Sequence, residues 1–277
     1  NFILVFLFLF PISHVFASIT FVHKVSVAKN DSTSIDDSGD HIAGIHFNDN
    51  GTKMFVSYRQ DFDDNFPHVS QYSLSEPYNI STRTYDGDAE RCNLTDVPER
   101  VTDLEFSHDG YKMFVSFGSH SVTTAEGDIV YGYELTSPYD ISTCSYSNNK
   151  TTNLDGKLNG SLAGDDIAPA KQVRLQGLEF NNSGTKMFLL FLGDGNDING
   201  DARKERLLEF NLSTPYDLTD ITLVENAGIN LTGSSFQNPM GMRFSKNGKR
   251  LFIVDHNKQA IGQVCVLSSL GYKPLLP

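Results

Sequence analysis

Apolar and polar residues alternate in four short stretches of the chain, and each stretch is followed by the same kind of turn. The alternation ends in a phenylalanine, an Asn/Asp/Ser-Gly pair follows, and a run of β-forming residues comes next. A period of two predicts a strand, and glycine, which tolerates positive φ, permits a tight hairpin to the next strand. The four phenylalanines are Phe47, Phe106, Phe180 and Phe244.

A second repeated phrase, Leu-x-x-Pro-Tyr-Asn/Asp-Ile/Leu, follows the first three hairpins. It occupies residues 74–80, 135–141 and 212–218. Proline fixes φ and lacks a donor, so the phrase predicts a turn between a third and a fourth strand. We name the four strands of each repeat A to D. Strand A is predicted near 42–47, 101–106, 175–180 and 239–244, and strand D at 81–85, 142–146 and 220–224.

Four antiparallel strands in each repeat are typical of the blades of a β-propeller, so residues 18–277 are predicted to form one all-β propeller domain. The fourth repeat lacks a strand D. Residues 19–22, Ile-Thr-Phe-Val, match Ile-Thr-Leu-Val at 221–224 in the third repeat. We therefore expect residues 19–27 to pair with 262–267 and close the ring, which would remove its open edge. The alternative is a larger ring of which these four blades are a part.

The N-terminus contains an apolar run over residues 2–10 and reaches a small residue at Ala17. This pattern predicts a signal peptide over residues 1–17 and an exported protein, extracellular or periplasmic. No later segment is apolar enough to predict insertion into a membrane.

Charge and cysteine content restrict the partners and cross-links. The chain has 22 Lys and Arg against 34 Asp and Glu, a formal charge of −12, which disfavours nucleic acid as a partner. Its three cysteines are Cys92, Cys144 and Cys265. Their spacing does not suggest zinc, and an odd number leaves at least one outside an internal bridge. Cys92 with Cys144 is the pair that the sequence disfavours least.

The segment Phe244-Ser-Lys-Asn-Gly-Lys-Arg-Leu-Phe-Ile-Val-Asp255 resembles the blade motif of YVTN-type and WD40-like propeller repeat proteins. The other three hairpins resemble the same strand A, turn and strand B. The Ser/Thr-x-Pro-Tyr-Asp-Ile-Ser-Thr phrase is similar to that of uncharacterised secreted repeat proteins. The resemblance covers about ten residues per blade and implies the fold, while it implies no activity.

The loops differ more between repeats on one face of the predicted propeller than on the other. The A–B and C–D turns are short and alike, whereas the B–C and D–A loops are long and varied. We call the face with the B–C and D–A loops the long-loop face, and the face with the A–B and C–D turns the short-turn face. Binding usually lies in variable loops on a regular scaffold. In the first B–C loop, acidic and aromatic residues favour a carbohydrate platform, although a solvated loop is equally consistent: Asp61, Phe62, Asp63, Asp64 and Phe66.

One Gly-rich acidic loop, residues 193–201, offers hard oxygen ligands of the kind that Ca²⁺ prefers. Its candidate ligands are Asp194, Asn196, Asp197 and Asp201. The string resembles a single copy of the RTX nonapeptide, a repeat whose calcium site uses adjacent stacked copies. Calcium is the one cofactor that the sequence suggests, and a plain exposed turn is the alternative.

Ionisable residues occupy one equivalent position in all four A strands: His46, Glu105, Glu179 and Arg243. Each lies between two apolar residues, so alternation sends it to the opposite side of the strand. We expect these side chains to converge near the axis. A network of ion pairs between blades is one interpretation, and a catalytic or metal-binding cluster is the other.

Taken together, these patterns predict an exported propeller that binds a protein or a carbohydrate through the long-loop face. Two other classes stay open. One is a hydrolase or lactonase-like enzyme with a metal held on the axis by His46, Glu105 and Glu179. The other is a structural repeat protein of a surface or virion assembly.

Overall fold

The protein is described here by a computed structural model. It covers residues 42–59, 66–98, 100–118, 128–154, 157, 173–193, 205–224, 229–231, 239–245, 250–255 and 260–265.

The described residues form four antiparallel sheets, one for each repeat. The first contains β1 (Ile42–Phe47), β2 (Lys53–Tyr58), β3 (His68–Leu74), β4 (Arg83–Tyr85) and β5 (Arg91–Asn93). The second contains β6 (Val101–Phe106), β7 (Lys112–Phe117), β8 (Ile129–Glu134), β9 (Ser145–Tyr146) and β10 (Thr152–Asn153). The third contains β11 (Val173–Phe180), β12 (Lys186–Gly193), β13 (Arg206–Leu212), β14 (Ile221–Leu223) and β15 (Ile229–Asn230). The fourth contains β16 (Pro239–Phe244), β17 (Arg250–Asp255) and β18 (Ala260–Cys265).

The A strands β1, β6, β11 and β16 pack side by side in chain order, and each begins a sheet that runs outward through strands B and C. Each A strand has an irregularity in its pairing with strand B at the same place, three to five residues before its C-terminal end. This is the blade arrangement of a β-propeller, as the repeats predicted. Among the described residues, no helix is long and apolar enough to cross a membrane.

The outermost strand of each complete blade is divided in two, which corrects the prediction of a single strand D. Strand β3 pairs with β4 through Tyr72 and with β5 through Ser70, so only Gln71 separates the two pairings. In the outer strand, residues 86–90 lie between these two pairings, opposite Gln71, and they include a 3₁₀ turn at Asp88–Glu90. The chain then returns to the sheet at Arg91, which pairs with Ser70. The sequence predicts D–A loops over residues 86–100 and 147–176, and the structure shows that these segments contain β5 and β10.

Short 3₁₀ turns mark the outer edge of the first two blades, at Ile80–Thr82, Asp88–Glu90, Ile141–Thr143 and Asn148–Lys150. Those at Ile80–Thr82 and Ile141–Thr143 directly follow the Pro-Tyr-Asn/Asp phrase. The phrase thus turns strand C into strand D, as predicted.

The two repeated phrases of a blade form one structural unit. In the second blade, the Tyr139 N–H donates to the Gly110 carbonyl at 2.9 Å, and a Cβ on Gly110 would lie 2.4 Å from the Tyr139 ring. Tyr139 itself has φ of 55°, a strained value for a non-glycine residue that the surrounding contacts must hold. The pairs Tyr78 with Gly51 and Tyr216 with Gly184 repeat this contact.

Neighbouring blades are joined by pairs of phenylalanines, one from strand B and one from the next strand A. The ring centroids are 4.7 Å apart for Phe55 and Phe106, and 4.8 Å apart for Phe114 and Phe180 and for Phe188 and Phe244. We call these contacts the blade seams. Two of the repeated tyrosines also cross them. The Tyr139 hydroxyl lies 3.2 Å from Asp49 Oδ1, and the Tyr216 hydroxyl accepts the His108 N–H at 3.2 Å, each in the preceding blade. Because such a seam lies between each pair of successive blades, the apolar side chains of a blade are buried mainly against its neighbours.

A disulfide joins Cys92 of β5 to Cys144, which follows the 3₁₀ turn of the second blade, with their Cα atoms 6.0 Å apart. Cys92 with Cys144 was the least disfavoured pair in the sequence, and it is the pair that forms the bridge. It fastens the outer edges of the first two blades together.

The predicted closure of the ring is not confirmed, and within the described residues the ring is open. The fourth sheet has three strands there, β16 to β18. Residues 19–27, the predicted closing strand, and residues 1–17, the predicted signal peptide, lie outside the described part of the chain. Side chains at the two ends of the arc are correspondingly exposed: Ile42 by 53%, Ile45 by 44% and Phe252 by 36%.

Phe114 and Phe252 occupy equivalent positions in strand B and test the seam. Phe114 is fully buried against Phe180, whereas Phe252 lies at the open end. We expect Phe114→Ala to lower the free energy of unfolding by about 3–5 kcal/mol, the usual cost for a buried phenylalanine, and Phe252→Ala to cost about 1 kcal/mol or less. Urea denaturation of both variants measures the difference. Equal costs would contradict the account of the seams.

Candidate functional site

The four ionisable residues predicted at the axis converge in the structure. His46, Glu105, Glu179 and Arg243 each stand one residue before the end of an A strand. The Arg243 guanidinium, on β16, donates through Nη1 to Glu105 Oε2 and to Glu179 Oε2. The ring nitrogen His46 Nδ1 lies 3.3 Å from Glu105 Oε1. We call these four residues, together with Asp103, the axial cluster.

Arg243 also binds main-chain oxygens of the first two blades. Its Nη2 donates to the Ile45 carbonyl at 2.9 Å and to the Leu104 carbonyl at 3.2 Å. One side chain from the fourth blade therefore contacts all the other three. The guanidinium group suits this task, because its planar fork carries five donors and stays charged.

Asp103 is a fifth member of the cluster that the sequence analysis missed. It is 7% exposed, and its two carboxylate oxygens accept the N–H groups of Leu104 at 2.8 Å and Leu178 at 2.9 Å. The second of these bonds crosses from the second blade to the third. The signal was an exception in the repeat, since the other A strands have glycine at this position: Gly44, Gly177 and Gly241.

The shared guanidinium separates the two glutamates electrostatically. Burial and the nearby negative charge of Glu105 raise the pKa of Glu179 to about 8, and the positive charge of Arg243 only partly offsets these two effects. Burial acts in the same sense on Glu105, but Arg243 and His46 together lower its pKa to about 2. Glu105 is thus the ionised partner of Arg243, and Glu179 keeps a proton at neutral pH. Burial also raises the pKa of Asp103 to about 6.

The axial cluster does not fit the metal proposed for the enzyme alternative. The Arg243 guanidinium lies between Glu105 and Glu179, where a cation bridging these two carboxyl groups would have to bind. Across the residues that the structure describes, no group of three or more His, Cys, Asp or Glu could hold a metal ion. The arrangement matches the other interpretation, ion pairs that connect the blades. A catalytic role for these residues is not tested by this geometry.

Most candidate residues of the long-loop face lie outside the described part of the chain. These are Asp61, Phe62, Asp63 and Asp64 of the first B–C loop, and Asp194, Asn196, Asp197 and Asp201 of the candidate calcium loop. Phe66 is described, two residues before the start of β3, and it is 43% exposed. The calcium and carbohydrate expectations for these loops stay predictions.

Comparison with known proteins adds little to this. No protein family model and no curated protein matches the chain. The endo-arabinase from Bacteroides thetaiotaomicron is 10% identical over 83% of this chain and 75% of its own, with a TM-score of 0.48. A candidate 6-phosphogluconolactonase from Bacteroides uniformis is 13% identical over 90% of this chain and 57% of its own, with a TM-score of 0.45. The Cps50 β-propeller domain from Myceliophteria thermophila is 9% identical over 83% of this chain and 55% of its own, with a TM-score of 0.43.

This chain spans less than two thirds of the last two of these chains. At such low identity and TM-score, the likenesses carry no argument about activity. The assignment as a propeller rests on the four repeated sheets and on the side-by-side packing of their A strands.

Replacing Arg243 by methionine tests the structural role of the cluster. The variant leaves Glu105 and Glu179 without their shared cation, so we expect a loss of about 3 kcal/mol in the free energy of unfolding at pH 7. The value lies at the lower end for a broken buried pair because the Arg243 side chain is 39% exposed. Denaturation at pH 7 measures it. A loss below about 0.5 kcal/mol would show that Arg243 acts as a surface residue.

Glutamine variants of the two glutamates separate their charge states. Glu179 is protonated at pH 7, so Glu179→Gln replaces one neutral group by another and is expected to cost under about 1 kcal/mol. Glu105→Gln removes the ionised partner of Arg243 and is expected to cost about 3 kcal/mol. Equal losses in the two variants at pH 7 would contradict the assignment.

The pH dependence gives an independent check. The folded-state pKa of Glu179 is raised, so its contribution is present below its ordinary pKa of 4.5 and is lost as pH rises through about 8. The stability of the wild-type protein should therefore fall between pH 5 and pH 8, and Glu179→Gln should flatten that fall. Thermal denaturation over this range measures both slopes.

Proposed function

We propose that this chain is an exported β-propeller that binds a protein or carbohydrate ligand through its long-loop face. The observation that supports it most is the contrast between the two faces. On the short-turn face, the tyrosines at positions 78, 139 and 216 cover the turn glycines and use their hydroxyls within the fold. The sequence that differs between repeats lies in the loops opposite.

The axial cluster supports the same conclusion. Glu105, Glu179 and Arg243 are bound to each other and to main-chain groups, so their charges serve the contact between blades. Judged from the described residues, a catalytic site at the axis would have to use these same ionisable side chains. The ligand contacts of a binding module then fall to the loops.

Export is part of the proposal. It is supported by the Cys92–Cys144 disulfide, since such bonds persist in oxidising compartments, and by the apolar N-terminal run. The strongly acidic composition supports a partner other than nucleic acid.

One observation favours an enzyme as the second candidate. Glu179 is a carboxyl group whose pKa is raised to about 8, and a protonated carboxyl group can act as a general acid. A lactonase-like or other hydrolase would need substrate access to this residue. Hydrolysis of lactones or glycosides that disappears in Glu179→Gln, while the fold is retained, would support this candidate. A structural role in a surface or virion assembly would instead show as a stable oligomer that binds no ligand.

Two exposed aromatic residues on opposite faces provide a matched test of the binding face. Phe66 is 43% exposed beside the first B–C loop, and Tyr111 is 44% exposed on an A–B turn of the short-turn face. The purified protein is first screened on an array of glycans and extracellular protein domains. For any ligand found, we expect Phe66→Ala to weaken binding about tenfold or more, as central aromatic contacts do.

Tyr111→Ala is the control and should bind as the wild type does. Biolayer interferometry with the same ligand measures both affinities. Loss of binding in Tyr111→Ala with retention in Phe66→Ala would move the ligand to the short-turn face and overturn the proposal.

A further inference from the structure

The fourth blade ends at strand C in the described part of the chain, so one edge of its sheet has no neighbouring strand there. Strands β3, β8 and β13 each pair with outer strands, whereas β18 pairs with β17 alone among the described residues. Such an edge presents a row of main-chain N–H and C=O groups, which proteins normally pair or cover. The outer edge of β18 is therefore a docking surface for one added strand.

The complete blades define the register that an added strand must take. In the third blade, Asn211 of strand C lies between Lys186 of strand B and Thr222 of strand D. The first and second blades have the same row of three residues. In the fourth blade, Cys265 faces Arg250, the residue equivalent to Lys186. The middle residue of an added strand D would thus lie opposite Cys265.

The three outer strands share a pattern that residues 19–21 also have. In each of them the middle residue is an exposed serine or threonine, and the next residue is large and half-buried. These pairs are Thr84 and Tyr85, Ser145 and Tyr146, and Thr222 and Leu223. The sequence Ile19-Thr20-Phe21 repeats the pattern, with Thr20 as the middle residue and Phe21 as the large one.

The first blade lies close enough to the fourth for the N-terminal segment to reach this edge. Arg243 of β16 donates to the Ile45 carbonyl of β1 at 2.9 Å, so one side chain spans the gap between these two A strands. The connections from strand D to the next strand A contain 15, 26 and 15 residues, over 86–100, 147–172 and 224–238. Residues 22–41, which would connect an added strand to β1, number 20. The length available therefore matches the connections within the protein.

We propose that residues 19–21 dock on the outer edge of β18 as strand D of the fourth blade, with Thr20 opposite Cys265. The docked strand is antiparallel to β18, as β14 is to β13. It pairs over three residues, fewer than the sequence match alone predicts. The occupant is the chain's own segment, because the residue pattern and the connection length both belong to it. Docking joins the first and fourth blades through main-chain hydrogen bonds.

A cysteine at position 20 tests this register in the whole chain. Directly opposed residues of an antiparallel pair have Cα atoms about 4.5–5.5 Å apart, a separation that a disulfide spans. With oxidised glutathione as the oxidant, Thr20→Cys should form a bond with the native Cys265. Ile19→Cys is the matched control, because alternation places its side chain on the other face of the strand. Mass spectrometry of unreduced peptides should show about tenfold more of the bond in Thr20→Cys.

Two further measurements keep the result interpretable. The same peptide map must contain the Cys92–Cys144 bridge in each variant, which shows that the first two blades have folded. Phe21→Asp, added to Thr20→Cys, places a charge where the other blades have a large half-buried side chain. It should lower the yield of the new bond about fivefold or more, since burying an unpaired charge is costly. An unchanged yield would indicate random collision of an undocked segment and would count against the proposal.

Equal yields in Thr20→Cys and Ile19→Cys, or no bond in either, would overturn the proposal. A bond between two chains, seen as a dimer on a nonreducing gel, would also overturn it, because the edge would then bind the N-terminal segment of a second copy. The proposed binding function does not depend on this result, since the effect of Phe66→Ala on ligand affinity is measured separately.

Discussion

The packing of one aromatic ring on another between blades is the contact on which this architecture depends. A sheet of three to five short strands cannot bury both of its faces alone, so each blade is stable only against its neighbours. The chain meets this requirement with one phenylalanine in strand B and one in the following strand A, at nearly the same distance in three successive seams. The repeated sequence therefore encodes the contact between blades as much as the blade itself.

The seams join only adjacent blades. At the axis, polar contacts also link blades that are not adjacent. Arg243 on the fourth blade binds Glu105 on the second and the main chain of the first. A hydrophobic contact would join only neighbours. Because the two glutamates share a single cation, the connection holds with one of them protonated, so it does not require a second buried positive charge.

The sequence was informative wherever a residue type determines local geometry. Strand alternation placed the four axial residues, and the glycines and prolines located the turns. What it missed depends on contacts with other parts of the chain. The division of strand D follows from how many residues pass one position of strand C, as at Gln71, and no local pattern reveals that. Asp103 was also missed, because its carboxylate joins the second blade to the third and the relative placement of the blades was unknown.

The Cys92–Cys144 bridge gives the molecule a direction in its resistance to unfolding. It closes a segment of 52 residues that contains strands A, B and C of the second blade, and chain entropy assigns such a loop about 4 kcal/mol. The first two blades are thus covalently fastened, whereas noncovalent contacts join the second to the third and the third to the fourth within the described residues. Under a pulling force, or in the presence of a protease, the C-terminal blades would unfold first. The first two blades, which the disulfide joins, would unfold last.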